Sequence, residues 1–463
     1  MKSSYKMEDI SMNQHLQQQW IAKDRQYIWH PFTQMKDYAA RDHILIERAA
    51  GAFLFDANGN RYYDTISSWW VNPHGHSHPR IRSAINEQMQ AFDHVQFSGF
   101  THMPAIQLAE RLVHMTPKGL DKVFYSDNGS TAVEVALKMS FQYWQQSGKA
   151  SKTKFVFLEN SYHGDTLGAV SVGGVDLYHA LYKPLLFHAL KLPAPQVLQQ
   201  KLNDVISDTA AQQQVVEHCL AEAARLFESQ HADIAGIIVE PIIQAAGGMN
   251  IYPASYLAGL RKLCDQYEIH LIADEVAVGF VRTGKMFACE HAGISPDILC
   301  LSKALTGGVL PLSVTMCSNR IYEAFYDDYE TYKTFFHGHG YTANAIACAA
   351  ANASLDIFAE EHTVTHVNTL AKQLSEQLQT LIELPFIKNV RQLGLIAAFD
   401  LQPTDPSRNR IGFDTYLEGL KHGIILRPLG NVLYYWLPLC VNGDDLREIV
   451  RRTKTVLENV YRS

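Results

Sequence analysis

Two apolar runs between His270 and Gly308 each lead into an ionisable group: HLIADEVAVGF passes through Asp274-Glu275, and DILCLSKALTGG through Ser302-Lys303. In an open α/β sheet, ligands occupy the crevice beyond the carboxyl ends of parallel strands, so residues just past two such strands are expected to share a pocket. A third run, GIIVEP, brings Glu240 to the same relative position. An amine and a carboxylate in one pocket are what pyridoxal phosphate requires, because lysine forms a Schiff base with its aldehyde while an acid keeps its pyridine nitrogen protonated. Each segment also has a plainer use, Asp-Glu as a helix N-cap and Lys303 as a surface charge. Three strand-like runs that deliver ionisable groups in succession favour the shared pocket.

Other segments carry chemistry of the same kind. In VFYSDNGSTAVEVALKM a strand runs through Asp127-Asn128-Gly129-Ser130 straight into a helix, whose first N–H groups are free to bind an anion. The alternative is a simple cap, with Ser130 or Thr131 as the capping residue and Glu134 in the first turn. Tyr162-His163-Gly164-Asp165-Thr166 follows the strand KFVFLEN. Tyr162 is suited to stack on a cofactor ring, or else the loop is a turn in which Asp165 caps a helix. Arg427, in GIILRPLG, can clamp a carboxylate with its two-pronged guanidinium or pair with a surface acid. The aromatic groups Trp69-Trp70 and Trp29-His30-Pro31-Phe32 suit a core or an interface. The histidine runs 74-76-78 and 337-339 lack the carboxylate or thiolate partners of a metal site, so no metal is expected and these rings should bond to backbone.

The elements that must position these residues follow from patterning. With 463 residues, 47% hydrophobic and 19% charged, the chain exceeds a single core and should form two lobes. Its net charge of −7 comes without a basic cluster, which argues against nucleic acid and lipid surfaces and in favour of small-molecule partners. Cys219, Cys264, Cys289, Cys300, Cys317, Cys348 and Cys440 show no CxxC spacing and imply a reducing compartment. The first residues lack the apolar core of a signal peptide, and no run of about 18 apolar residues offers a membrane span, so a cytoplasmic location is expected.

GAFLFDANGNRYYDTISSWW, with Asn58-Gly59 as a hairpin turn, reads as a small β meander inside an N-terminal segment 1–78. Residues 79–344 alternate strand-like and helix-like pieces after two helical patterns, which implies a mostly parallel sheet flanked by helices. Residues 345–463 read as long helices, short strands from Val390 and a closing helix, a smaller α+β domain. The Gln-rich patch near residue 15 and the polar stretch 196–214 are too short to be disordered domains.

LIADEVAVGFVRTGK, PDILCLSKALTGG, SYHGDT and EPIIQAAGG resemble the class III, fold type I pyridoxal phosphate aminotransferases, and the resemblance runs from about Tyr27 to the end. Within that class, IWHPFTQMKDY, SSWWVNPHGH, HGHGYTAN, CAAANASL and RPLGNVLYY are similar to the branch that aminates 8-amino-7-oxononanoate in biotin formation, with S-adenosylmethionine as the usual amino donor. The resemblance implies an α/β fold with pyridoxal 5'-phosphate as cofactor, Lys303 as the Schiff-base lysine, Asp274 as partner of the pyridine nitrogen, and Tyr162 over the pyridine face. It implies phosphate contacts from Gly129-Ser130 and from Tyr341-Thr342 of a neighbouring subunit, hence a homodimer with shared active sites. Trp69 and Gly340 would line the substrate pocket with Phe32, Arg427 would hold the keto acid's carboxylate, and Glu240 and Asp165 would support the ring hydroxyl region and the substrate amine.

The sequence departs from this pattern at three places. Phe32 stands where adenosylmethionine users commonly have tyrosine, which leaves lysine as an alternative donor. Val281 and Ser302 stand where glycines are usual, and both are expected to reshape the pocket modestly. The rival assignments are another class III enzyme, such as an ω-amino acid or ornithine aminotransferase or a glutamate semialdehyde aminomutase, and a non-catalytic protein on the same fold. The first would share Lys303 and Asp274 but lack the Trp-Trp and HPFT features. The second is opposed by the joint presence of lysine, acid and phosphate loop.

Overall fold

The computed structural model describes residues 14–199, 201–405 and 407–462. The signal-peptide expectation concerns mainly residues before 14, outside the described residues. Its centre is a seven-stranded sheet built from β4 (Lys122–Ser126), β5 (Lys154–Leu158), β6 (Leu190–Leu192), β7 (Ile234–Val239), β10 (His270–Asp274), β11 (Ile298–Leu301) and β12 (Ser313–Cys317), in the order β4-β12-β11-β10-β7-β5-β6. Between β7 and β10 lies a small hairpin of β8 (Ile243–Gln244) and β9 (Asn250–Ile251). Every residue of β7, β10, β11 and β12 is buried, which is why these strands read as continuous apolar runs and not as alternating ones.

Neighbours from β11 through β6 are parallel, whereas β12 runs antiparallel to both β11 and β4. The chain leaves β11 at Leu301 and re-enters the sheet at Ser313, too short a path for a helical crossover, so the strand must return in the opposite direction. Patterning did not anticipate β6, whose three residues include an exposed lysine and form no apolar run.

The helix Gly129–Gln146 lies across the sheet and buries Ala132, Val133, Val135, Ala136, Met139 and Trp144. Trp144 Nε1 donates to Ala235 O at 2.8 Å, fixing helix to strand. The meander forms as expected from β1 (Ile46–Ala50), β2 (Phe53–Asp56) and β3 (Arg61–Tyr63), and its turn closes through Asp56 Oδ1, which accepts from the N–H groups of Asn58 and Asn60. The C-terminal part holds an antiparallel sheet of β13 (Ile387–Leu393), β14 (Ile396–Leu401) and β15 (Val432–Trp436), with the helices Thr363–Ile382 and Gly443–Arg462. Meander and C-terminal part are stitched together: Tyr63 N donates to Gly423 O at 2.9 Å, and Trp436 N to Thr65 O at 2.7 Å. The alanine-rich helix Ala345–Glu360 packs closely on Pro79–Ala91 and Met103–Met115 and on the turn after Lys303. The Gln-rich patch near residue 15 falls in the helix Gln14–Tyr27, and the polar stretch ends in a capping box of Thr209 and Gln212 that starts the helix Ala210–Gln230.

Candidate active site

The register of the central strands brings the ionisable groups level. Ala273 pairs with both Val239 and Leu299, so Glu240, Asp274 and Lys303 emerge from the carboxyl ends of three adjacent strands. All three line one cavity of about 440 Å³.

Asp274 is held from two sides. Its Oδ1 accepts from Val276 N at 3.0 Å, and its Oδ2 receives His163 Nδ1 at 2.7 Å. Glu240 accepts from the N–H groups of Tyr162 and Ala245, each at 3.0 Å, and burial pushes its carboxyl up to about 7, with the His163 ring opposing and the Asp274 charge adding. Lys303 is partly open to the cavity, and its backbone is left-handed, with φ of 49°. Loss of hydration pulls its amine pKa down, against the attraction of Asp274 and Glu240 and with the help of the Arg282 charge. Its Nζ sits 5.1 Å from the ring centre of Trp70, which stacks in turn on Trp436 at 5.0 Å.

The same cavity is lined by the start of the helix Gly129–Gln146. Its cap is Asn128, not Ser130 or Thr131: the Asn128 side chain accepts from Thr131 N, and Thr131 Oγ1 accepts from Asn128 N. The hydroxyl of Ser130 accepts instead from Asp165 N at 2.9 Å. Gly129 and Ser130 occupy the first turn, where N–H groups have no intrahelical partner and the helix dipole is positive. A Cβ on Gly129 would meet Val276 Cγ1 at 2.5 Å, so only glycine fits this wall of the cavity. Glu134, one turn on, binds the next helix through Thr166 Oγ1, Gly168 N and Ala169 N. Asp165 is not a helix cap, since Thr166 precedes Leu167–Ser171; it accepts from Tyr162 Oη at 2.9 Å. Burial, and then the Asp165 charge, drive the Tyr162 phenol pKa upward. An anion cradle, a buried amine, an acid and a flat aromatic wall together fit a phosphorylated pyridine aldehyde.

Outside the cavity stands a ring of aromatics. The Arg427 guanidinium lies 4.1 Å over Trp69; Phe32 meets Trp69 edge-on at 5.6 Å and Tyr178 at 5.4 Å, and Tyr178 meets Tyr162 at 6.2 Å. Trp70, and not Trp69, lines the cavity itself. Both are presented by the turn Ser67–Trp70, whose φ values of 49°, 45°, 72° and 73° are all left-handed without a glycine. Asp64 anchors this turn by accepting from Ser68 N, Ser68 Oγ and His76 Nε2. His74 bonds Ser354 Oγ and His78 approaches Glu361, so this histidine run serves side chains where bonds to backbone were expected. Of the second run, His337 meets Lys138 Nζ, and His339 Nδ1 accepts from Tyr341 N.

Gly340, Tyr341 and Thr342 do not line the cavity of their own chain. Tyr341 is 71% exposed beside His94, whose Nε2 lies 2.6 Å from Gly340 O. Val281 is also not among the cavity-lining residues, so its effect falls on the backbone, where it has φ of 69°; Ser302 does line the cavity, with its hydroxyl donating to Leu312 O.

Residues 36–457 match the family model described as aminotransferase class-III. The chain belongs to the class-III aminotransferases. The adenosylmethionine-8-amino-7-oxononanoate aminotransferase of Geobacter sulfurreducens is 44% identical over 434 residues, covering 92% of this chain and 94% of that one. The crystal structure of the enzyme of that name from Methanocaldococcus jannaschii superposes with a TM-score of 0.88 at 36% identity, over 96% of this chain and 99% of its own. An amine transaminase from an uncultivated Pseudomonas species, solved in its PLP-bound form, gives 0.86 at 34% identity over 94% and 98%.

For a class-III aminotransferase, several residues of this site escaped the sequence reasoning. His163 was seen only as an imidazole on a loop, and its partner Asp274 is 111 positions away. Tyr178 follows a Gly-Gly turn that carried no functional signal. Arg282 stood in plain sight within GFVRTGK but gave no hint of complete burial.

Proposed function

We propose that this chain transfers an amino group from S-adenosylmethionine to 8-amino-7-oxononanoate, giving 7,8-diaminononanoate, with pyridoxal 5'-phosphate as its cofactor. The observation that carries this proposal is the meeting of Lys303, Asp274 and Glu240 in one cavity with a glycine-walled helix start, in a chain similar over nearly its whole length to aminotransferases of that name.

Bound there, the cofactor supplies an aldehyde that exchanges amines and a ring that draws electrons from the carbon losing its proton. The first-turn N–H groups of Gly129 and Ser130 hold the phosphate. Asp274, fixed by His163, keeps the proton on the pyridine nitrogen, and Tyr162 covers the ring. Lys303, whose amine pKa burial pulls down, takes the proton from the substrate carbon and returns it. Arg427 receives the far carboxylate, while Trp69, Phe32 and Tyr178 exclude water along the aliphatic chain. Asp165 and Tyr162 face the substrate amine. Two substrates share one site in turn, so the kinetics are ping-pong.

The labour divides along the chain: residues 79–344 hold the cofactor, 1–78 bring Phe32 and Trp69, and 345–463 bring Arg427. In a homodimer, Tyr341 and Thr342 of one protomer complete the phosphate end of its partner; the exposure of Tyr341, and the absence of both residues from the lining of their own cavity, support this arrangement. Seven unpaired cysteines, and the lack among the described residues of any helix long and apolar enough to cross a membrane, support a cytoplasmic location. Lysine as donor is the second reading, favoured by Phe32, which presents no hydroxyl to the ring of aromatics. Purified enzyme given 8-amino-7-oxononanoate and S-adenosylmethionine should form 7,8-diaminononanoate, identified by mass, and product formed only with lysine would favour the second reading. Turnover of ω-amino acids without that product would overturn the proposal.

A further inference from the structure

Arg282 is 1% exposed, and among the described residues it forms no ion pair. Its Nη1 donates to Leu437 O at 2.7 Å and to Ser67 Oγ at 3.3 Å, while its Nε and Nη2 are buried without a partner. Asp64 is the acid that acts on it most strongly, but that carboxylate is engaged with Ser68 and His76. The guanidinium lies 6.0 Å from the ring of Trp436, which stacks on Trp70. The backbone leading to it is strained as well, since Phe280 and Val281 have φ of 61° and 69°, and Val281 is β-branched. A buried, incompletely bonded cation and two left-handed segments are each costly, and such costs persist where function over-determines them. Arg282 and the turn 67–70 are linked to Lys303 through Trp436 and Trp70.

We propose that Arg282 is a positioning residue of the amino-transfer site: it ties Ser67 to Leu437, holds the turn 67–70 in its left-handed form, and thereby sets Trp70 against Lys303 and Trp69 against Arg427. Ser67 is the link, since its hydroxyl accepts from Arg282 and donates to Trp436 O at 2.6 Å. The charge of Arg282 has a second effect. Of the groups acting on the Lys303 amine, Asp274, Glu240 and Asp165 favour its protonated form, and Arg282 is the cation that opposes them together with burial. This inference deepens the reaction proposed above and rests on it.

Three variants separate the two effects. Ser67→Ala breaks the link and leaves the charge, Arg282→Lys keeps the charge and cannot bridge both acceptors, and Arg282→Met removes both. Each is read by kcat and KM and by the pH dependence of the rate at which pyridoxal phosphate loads onto cofactor-free protein, followed by absorbance. The expected result is a loss of about tenfold in kcat for Ser67→Ala and Arg282→Lys with KM nearly unchanged, as for one lost hydrogen bond to a charged group. The loading midpoint should stay in place for both and rise in Arg282→Met. Wild-type kcat in both Ser67→Ala and Arg282→Lys would overturn the inference, and those two decide it if Arg282→Met does not fold. Should wild type fail to aminate the keto acid while kcat with the amines it does use and the loading midpoint shift as stated, the substrate reading falls and the role of Arg282 stands.

Discussion

His163 and Asp274 share a hydrogen bond of 2.7 Å from Nδ1 to Oδ2, with side chains 0% and 6% exposed. Both residues line the cavity, and the bond fixes the orientation of the carboxylate that, in the proposed reaction, would partner the pyridine nitrogen. Asp274→Asn should lower kcat by at least about 100-fold, since an amide cannot hold a proton on that nitrogen, whereas His163→Ala should cost about tenfold through a misaimed carboxylate. Steady-state kinetics on cofactor-saturated variants check the order; equal losses would mean that His163 does more than orient.

Gly129→Ala places a methyl group 2.5 Å from Val276 Cγ1. The overpacking must be relieved by moving the helix start, so cofactor affinity should fall by about tenfold or more and the cofactor-free protein should lose about 1–3 kcal/mol of stability. Equilibrium dialysis or absorbance titration reads the effect.

Arg427→Ala should raise KM for the keto acid by about 10- to 100-fold, the worth of a charge-assisted pair, and leave the KM of a donor lacking that distal carboxylate near its original value. Loss of the cation over Trp69 would also free the indole, which intrinsic fluorescence would register.

His270 is fully buried, with Nδ1 2.9 Å from Ser140 Oγ and Nε2 unpartnered, and burial pushes its pKa down to about 3 from 6.5. Its folded pKa lies below the unfolded one, so its contribution is present above about pH 6.5 and is lost as pH falls toward 3. The stability difference between wild type and His270→Asn should shrink on acidification by up to about 1.4 kcal/mol per pH unit across this window. Urea denaturation at several pH values measures it; a constant difference would mean that His270 is charged in the folded protein.

The strands that carry Lys303, Asp274 and Glu240 were legible because burial on both faces leaves an unbroken apolar run, and the first charge after it marks the crevice. The meander turn at Asn58-Gly59 was legible through glycine chemistry. What escaped lacked a local signal. Asn128, Ser130 and Thr131 are all capable caps, and patterning does not choose among neighbours one or two positions apart. The turn Ser67–Trp70 adopts left-handed backbone without glycine because Asp64, Trp436 and Arg282 hold it, and two of those three lie far away in sequence. The antiparallel course of β12 follows from a short connection that periodicity does not register.

The central claim is the identity of the amine that meets the cofactor. Enzyme loaded with pyridoxal phosphate, reduced with borohydride and digested, should carry a phosphopyridoxyl group on the peptide containing Lys303, found by mass, and Lys303→Ala should carry none and show no turnover while melting within a few degrees of wild type. A label on another lysine, or substantial turnover by Lys303→Ala, would contradict the account.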